Sequence, residues 1–187
     1  GVGSFAIGCY AHDNAAGGYG FAIGSAAPTL INCIAAKCAR YGFYQSTTSV
    51  LYQVTMSGCV AYSNTLGGVY LAGSTANHTI VLNNCIISNN GGFGIDAYST
   101  TAVYGRVELL GCAFYLNTGG DIDDNAPGHN NHVIVQETIP RITLTADPFV
   151  DAANGDFRLA ASQRQALGSG WPGAFLRNGA LTAWAGY

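Results

Sequence analysis

The sequence predicts an all-β chain: a right-handed, single-stranded parallel β-helix of about five coils, followed by an irregular C-terminal cap. Two rulers and one texture carry this. Cysteines recur at Cys9, Cys33, Cys59, Cys85 and Cys112, spaced 24, 26, 26 and 27 residues apart. Glycines recur at Gly20, Gly42, Gly68, Gly94 and Gly120, spaced 22, 26, 26 and 26. One shared period in the range of about 20–50 residues marks a solenoid, whose repeats bury their apolar faces only against their neighbours. Within each period apolar residues sit two apart, as at Val54 and Met56, Ile80 and Leu82, and Val107 and Leu109. That alternation belongs to strands, and helical spacing of three and four is missing.

Each coil divides into three short strands. The first runs to a break near Ser57-Gly58 and its equivalents. The second follows the cysteine, with Ala61, Ile87 and Phe114 continuing the inward side, and breaks near Asn64. The third follows the glycine, with Val69 and Leu71 or Phe21 and Ile23 inward, and breaks after Gly73. The breaks carry Asn and Gly, which enter the left-handed region most cheaply. Equivalent strands then stack about 4.7–4.9 Å apart, so five coils make a rod section of roughly 25 Å. The cysteines form an inward column of small hydrophobes. Their parallel Cβ vectors do not converge as a disulfide requires, so free thiols are expected. The sixth cysteine, Cys38, lies off this column.

The repeat grammar covers residues 1–130, with the regular helix expected to end near Gly128. At that point Asp121 and Asp123 fall on positions that are inward and apolar in earlier coils. Residues 131–187 are expected to form a capping or interaction segment packed by Phe149, Phe157, Trp171, Phe175 and Trp184. Charge shifts at the same boundary: residues 1–120 hold six charged side chains and 121–187 hold eleven. The chain opens inside a repeat, at "GVGSFAIGCY", without a polar cap. A bare coil exposes strand edges, so the expectation is a fragment of a longer protein or an edge covered by a partner.

The tail "DPFVDAANGDFRLA", followed by a Ser and the small-residue turn "ALGSGWPG", resembles the closing segment of the right-handed parallel β-helix repeat superfamily, which has the pectate-lyase-like fold. The coils resemble that superfamily's generic repeat, so the likeness covers nearly the whole chain. It implies the fold strongly and leaves function open between two classes. Members include polysaccharide lyases and hydrolases, and also phage tailspikes and virion surface proteins.

Composition narrows the choice. Only 9% of residues are charged and the net charge is −3, against roughly 25% charged in typical globular chains. No basic footprint for nucleic acid exists, and no apolar run is long enough to cross a membrane as a helix. The Asn-Thr-Asp, His-Gly and Arg-Ile-Lys strings of pectin hydrolases do not occur. Asp96 and Asp124 would stand one coil and two residues apart, about 8 Å by strand spacing. That suits an inverting glycosidase pair, with carboxyls about 6.5–9.5 Å apart; the alternative is two solvated turn residues. In "DIDDNAPG" the residues Asp121, Asp123 and Asn125 have the spacing of a calcium loop, but position twelve is His132 rather than an acid. No other cofactor is implied. His12, His78, His129 and His132 show no ligand spacing.

The outward face carries the remaining signals. The column one residue past each cysteine reads Tyr10, Ile34, Val60, Ile86 and Ala113. Such an apolar strip demands a cover: other copies of the chain (a homotrimer), a virion neighbour, or residues 132–187 folded back. The column two past each glycine reads Ala22, Tyr44, Tyr70, Asp96 and Ile122. Tyr44 and Tyr70 are candidates for stacking on the sugar rings of a surface glycan, or are ordinary outward tyrosines. Together these features favour a non-enzymatic structural or adhesive protein of a virion surface, such as a capsid decoration, head fibre or tailspike shaft. The alternative is a secreted polysaccharide lyase or glycoside hydrolase.

Overall fold

A computed structural model describes residues 4–24, 27–47, 53–73, 79–99, 105–123, 133–163, 174–177 and 180–183. Strands from successive periods stack in parallel into three sheets. The first sheet holds Phe5–Ile7, Thr29–Ile31, Gln53–Ser57, Thr79–Asn83, Gly105–Leu110 and Val133–Ile139. The second holds Tyr10–His12, Ile34–Ala36, Val60–Tyr62, Ile86–Ser88, Ala113–Tyr115 and Ile142–Thr143. The third holds Phe21–Ile23, Tyr41–Thr47, Gly67–Gly73, Phe93–Ser99 and Gly120–Asp123. One strand of each makes a coil, giving five coils with a sixth begun. The ladders thus run on to Thr143 rather than stopping near Gly128.

Two columns of left-handed residues turn the corners. Gly8, Asn32, Gly58, Asn84 and Gly111, each one residue before a column cysteine, have φ between 49° and 64°. They bend the chain from the first sheet to the second. Asp13, Lys37, Ser63, Asn89 and Leu116, each four residues past the cysteine, have φ between 47° and 58° and begin the next corner. Leu116 sits there at a cost of about 1–2 kcal/mol that Asn or Gly would largely avoid.

Inside, identical positions stack coil upon coil. Leu30, Met56, Leu82 and Leu109 form one sealed column, and Cys33, Cys59, Cys85 and Cys112 another, all free thiols. The glycine ruler also has a steric cause. A Cβ on Gly68 would stand 2.6 Å from Gly94 O and 2.7 Å from Ile87 Cγ2, so no side chain fits. The ruler slips once, in the last coil: Gly120 pairs with Phe93, and Ile122 pairs with Ile95 and packs on the core. Asp121 therefore takes the place of the tight glycine, and Ile122 is inward rather than outward.

A buried asparagine column lines the second corner. Asn64 Nδ2 donates to Asn90 Oδ1 at 3.0 Å, and Asn90 Nδ2 donates to Asn117 Oδ1 at 2.8 Å. Each amide also donates to a carbonyl of the preceding coil: Ala35 O, Ala61 O and Ile87 O respectively. Cys38 is the member of this column on the second coil. Its N–H donates to Asn64 Oδ1 at 3.0 Å, and burial pushes its thiol up to about 11. Being off the cysteine column, it stands where the other coils use asparagine.

Beyond Thr143 the chain forms an antiparallel hairpin, Phe149–Asp151 with Asp156–Leu159, joined by the short turn Ala152–Asn154. Phe175 lies in a second antiparallel ribbon, Ala174–Arg177 with Ala180–Ala183. Trp171 and Trp184 lie outside the described residues.

Candidate functional site

The apolar strip of the second sheet has found its cover within the chain. Ile34, Val60 and Ile86 are in register and only 2%, 0% and 0% exposed. They cluster with Leu144, Phe149, Ala152, Phe157 and Leu159 of the tail. Alternation in the last hairpin strand explains this, since Phe157 and Leu159 face the strip while Arg158 turns away to pair with Asp156 at 2.6 Å. Polar contacts also tie the hairpin down. Asp147 Oδ2 accepts from Asn89 Nδ2 at 3.0 Å, and Lys37 Nζ donates to Ala153 O at 2.5 Å. Of the covers expected for Ile34, Val60 and Ile86 (another subunit, a virion neighbour or the chain's own tail), the tail is the one found: residues 144–159 occupy these side chains.

The third sheet presents aromatic rings to solvent. Tyr44 stacks on Tyr19 of the coil before, with centroids 4.0 Å apart, and on Tyr70 of the coil after, at 5.2 Å and 2° between planes. Both faces of Tyr44 are therefore covered by tyrosines, and a sugar ring cannot stack on it. The edges and hydroxyls of this stack remain outward. Arg40 closes one end, donating to Tyr19 Oη at 2.5 Å.

Tyr41 was not singled out from the sequence, yet it organises the other end. It pairs across the sheet with Gly67, and its ring lies over that residue: a Cβ there would meet Tyr41 Cε1 at 2.9 Å. Spanning a full coil, its hydroxyl donates to Asp96 Oδ2 at 2.6 Å. Burial, then this hydrogen bond, holds the Tyr41 phenol well above its usual range. The signal in the sequence is an alternation eight residues past the cysteines: Tyr41, Gly67, Phe93 and Gly120. An aromatic on one coil lies over the glycine of the next.

The slip in the last coil also changes the acidic pair. Asp96 pairs in register with Asp123, not Ile122, and the column reads Ala22, Tyr44, Tyr70, Asp96, Asp123. Asp123 is 8% exposed. Asp124, the partner expected for Asp96, lies outside the described residues, as does Asn125. Asp121 is turned to other work at the end of the asparagine column. Burial raises its carboxyl above the usual range, and Arg141, 3.8 Å away, acts against that. Arg141 also binds Glu137 at 2.6 Å, and that hydrogen bond lowers the Glu137 carboxyl. Asp121 thus faces a guanidinium, which disfavours a calcium loop built on Asp121, Asp123 and Asn125. Among the described residues no three His, Cys, Asp or Glu side chains converge as metal ligands.

A cleft of about 360 Å³ lies where the tail crosses the first coils, lined by Tyr10, His12, Asp13, Lys37, Asn154 and Gly155 among others. In it His12 Nδ1 lies 2.8 Å from Asp13 Oδ2 and the His12 ring stacks on Tyr10 at 4.4 Å. The other three histidines lie outside the described residues. Among the described residues no helix is long and apolar enough to cross a membrane.

Comparison with known proteins agrees with this architecture. No curated protein and no solved structure matches the chain. The model of the right-handed beta helix region matches residues 2–118, more than half of the chain and almost all of its five coils. With the cysteine, glycine and asparagine columns in register over the same span, the chain belongs to the right-handed β-helix family.

Proposed function

We propose that this chain is a non-enzymatic structural or adhesive protein of a virion surface, a rigid rod section such as a decoration, fibre or shaft. The observation that carries the reading is how the polar side chains of the coils are used. Asp96 accepts from Tyr41, Tyr44 is sandwiched between Tyr19 and Tyr70, and Asn64, Asn90 and Asn117 bond one another. These groups join coil to coil and stiffen the rod. Contacts to a glycan would fall to the edges and hydroxyls of the tyrosine stack, not to ring faces. Self-association as a trimer would use a surface other than the strip under the tail hairpin.

The test is to label particles and cell-free fractions of the source culture with an antibody against the chain, viewed by electron microscopy. Label at regular positions on virions is expected; label confined to soluble secreted material would overturn the reading.

One observation favours the alternative, a polysaccharide lyase or glycoside hydrolase. Asp96 and Asp123 stand opposite on neighbouring strands. That repeat of about 4.8 Å is close to the roughly 5–5.5 Å between carboxyls of a retaining glycosidase.

A further inference from the structure

The cysteine column has a chemical consequence beyond packing. Strand register places Cys9 opposite Cys33, since Ile7 pairs with Ile31 and Tyr10 with Ile34. Both sulfurs adopt one orientation: Cys9 Sγ lies 3.6 Å from Ile7 O, and Cys33 Sγ lies 3.5 Å from the equivalent Ile31 O. Side chains of one orientation on neighbouring parallel strands repeat at the strand spacing of about 4.7–4.9 Å. A disulfide, with sulfurs about 2.05 Å apart, does not fit that spacing, and both thiols are free. Two metal–thiolate bonds of about 2.3 Å, the length found on a d¹⁰ ion, laid end to end span about 4.6 Å. The spacing of a parallel sheet is therefore the spacing of a linear sulfur–metal–sulfur unit.

We propose that Cys9 and Cys33 form a two-coordinate site for a soft monovalent cation of the cuprous class, bridged linearly between the first two coils.

Two further observations select this ligand class. Thiolates favour Cu(I) among the abundant metals, whereas zinc demands four tetrahedral donors. Sulfurs of a column at this spacing can flank one ion only in pairs, and no three His, Cys, Asp or Glu side chains converge among the described residues. Access is also graded along the column. Cys9 is exposed, while Cys33, Cys59, Cys85 and Cys112 are at most 1% exposed. An ion meets Cys9 first, and Cys33 supplies the inner bond.

On binding, each thiol releases its proton to the buffer and two sulfur–metal bonds form; the ion stays monovalent and no electron moves. Protons therefore compete with the metal, and affinity rises with pH.

The experiment titrates the reduced, full chain anaerobically with Ag(I) in chloride-free buffer, reading thiolate-to-metal absorption and native mass. X-ray absorption of the Cu(I)-loaded chain then counts its neighbours. One tight ion per chain with two sulfur neighbours is expected, and Cys9→Ser and Cys33→Ser should each weaken binding by at least about tenfold. Cys9→Ser changes an exposed position, so it keeps the test valid if Cys33→Ser fails to fold. Cys38→Ser, off the column, should bind as the parent does. Undiminished affinity in Cys9→Ser, an equal loss in Cys38→Ser, or a third sulfur neighbour would overturn the proposal.

Discussion

Asn64 and Asn90 bond amide to amide at 3.0 Å in the interior of the rod, and Asn90 repeats the bond to Asn117 at 2.8 Å. Asn90 Oδ1 also accepts from the Asn64 N–H, and its Nδ2 donates to Ala61 O. Removing one side chain strands several buried partners, each costing about 1–3 kcal/mol. Asn90→Ala should lose about 3 kcal/mol or more in urea unfolding. Cys38→Asn should extend the column by one coil and gain about 1 kcal/mol, the net worth of a typical hydrogen bond. A destabilised Cys38→Asn chain would contradict the column as described.

Gln45 stands in an inward column between Ile23 and Leu71, is 0% exposed, and both its amide atoms lack partners among the described residues. A buried unsatisfied amide costs about 1–3 kcal/mol. Gln45→Met, close in volume and apolar, should raise the melting temperature, and an unchanged or lower one would show that the amide is satisfied.

The tail hairpin stabilises the rod through Phe157, which is 0% exposed and meets Tyr62 edge-on at 5.6 Å. Phe157→Ala should cost about 3–5 kcal/mol and let a hydrophobic dye reach Ile34, Val60 and Ile86. Unchanged dye binding together with a small loss of stability would place the cover elsewhere.

Tyr41 ties stability to alkaline pH. Its phenol is raised in the folded chain by burial and by Asp96, so the native state keeps a proton that the unfolded state releases above about pH 10. The contribution is full below that pH and is lost as pH rises past it. The stability advantage of the parent over Tyr41→Phe should therefore shrink between pH 8 and pH 11. A constant difference would mean that folding does not hold the Tyr41 phenol above its usual range.

The coils were legible because their signals are strictly periodic. Each column cysteine is preceded by a left-handed corner residue, and each tight glycine faces a backbone with no room for Cβ. The asparagine column is equally periodic, five residues past each cysteine, but Cys38 interrupts it in the second coil. Two features were less legible for physical reasons. A single extra residue before Ile122 shifted every later side chain by one place, which moved Asp123 rather than Ile122 beside Asp96. The exposed strip fixed the need for a cover but not its source, because another subunit and the chain's own tail bury apolar surface equally well.

The role of the Asp96 carboxylate as a joint between coils is tested most directly by catalysis. Purified chain, with and without calcium, should be incubated with a panel of pectins, alginates and capsular glycans while new reducing ends and unsaturated products are followed. No turnover by the parent chain is expected, because Asp96 is engaged by Tyr41 and serves the joining of coils. Turnover by the parent that disappears in Asp96→Asn and in Asp123→Asn, with folding intact, would contradict it and make the paired carboxylates an active site.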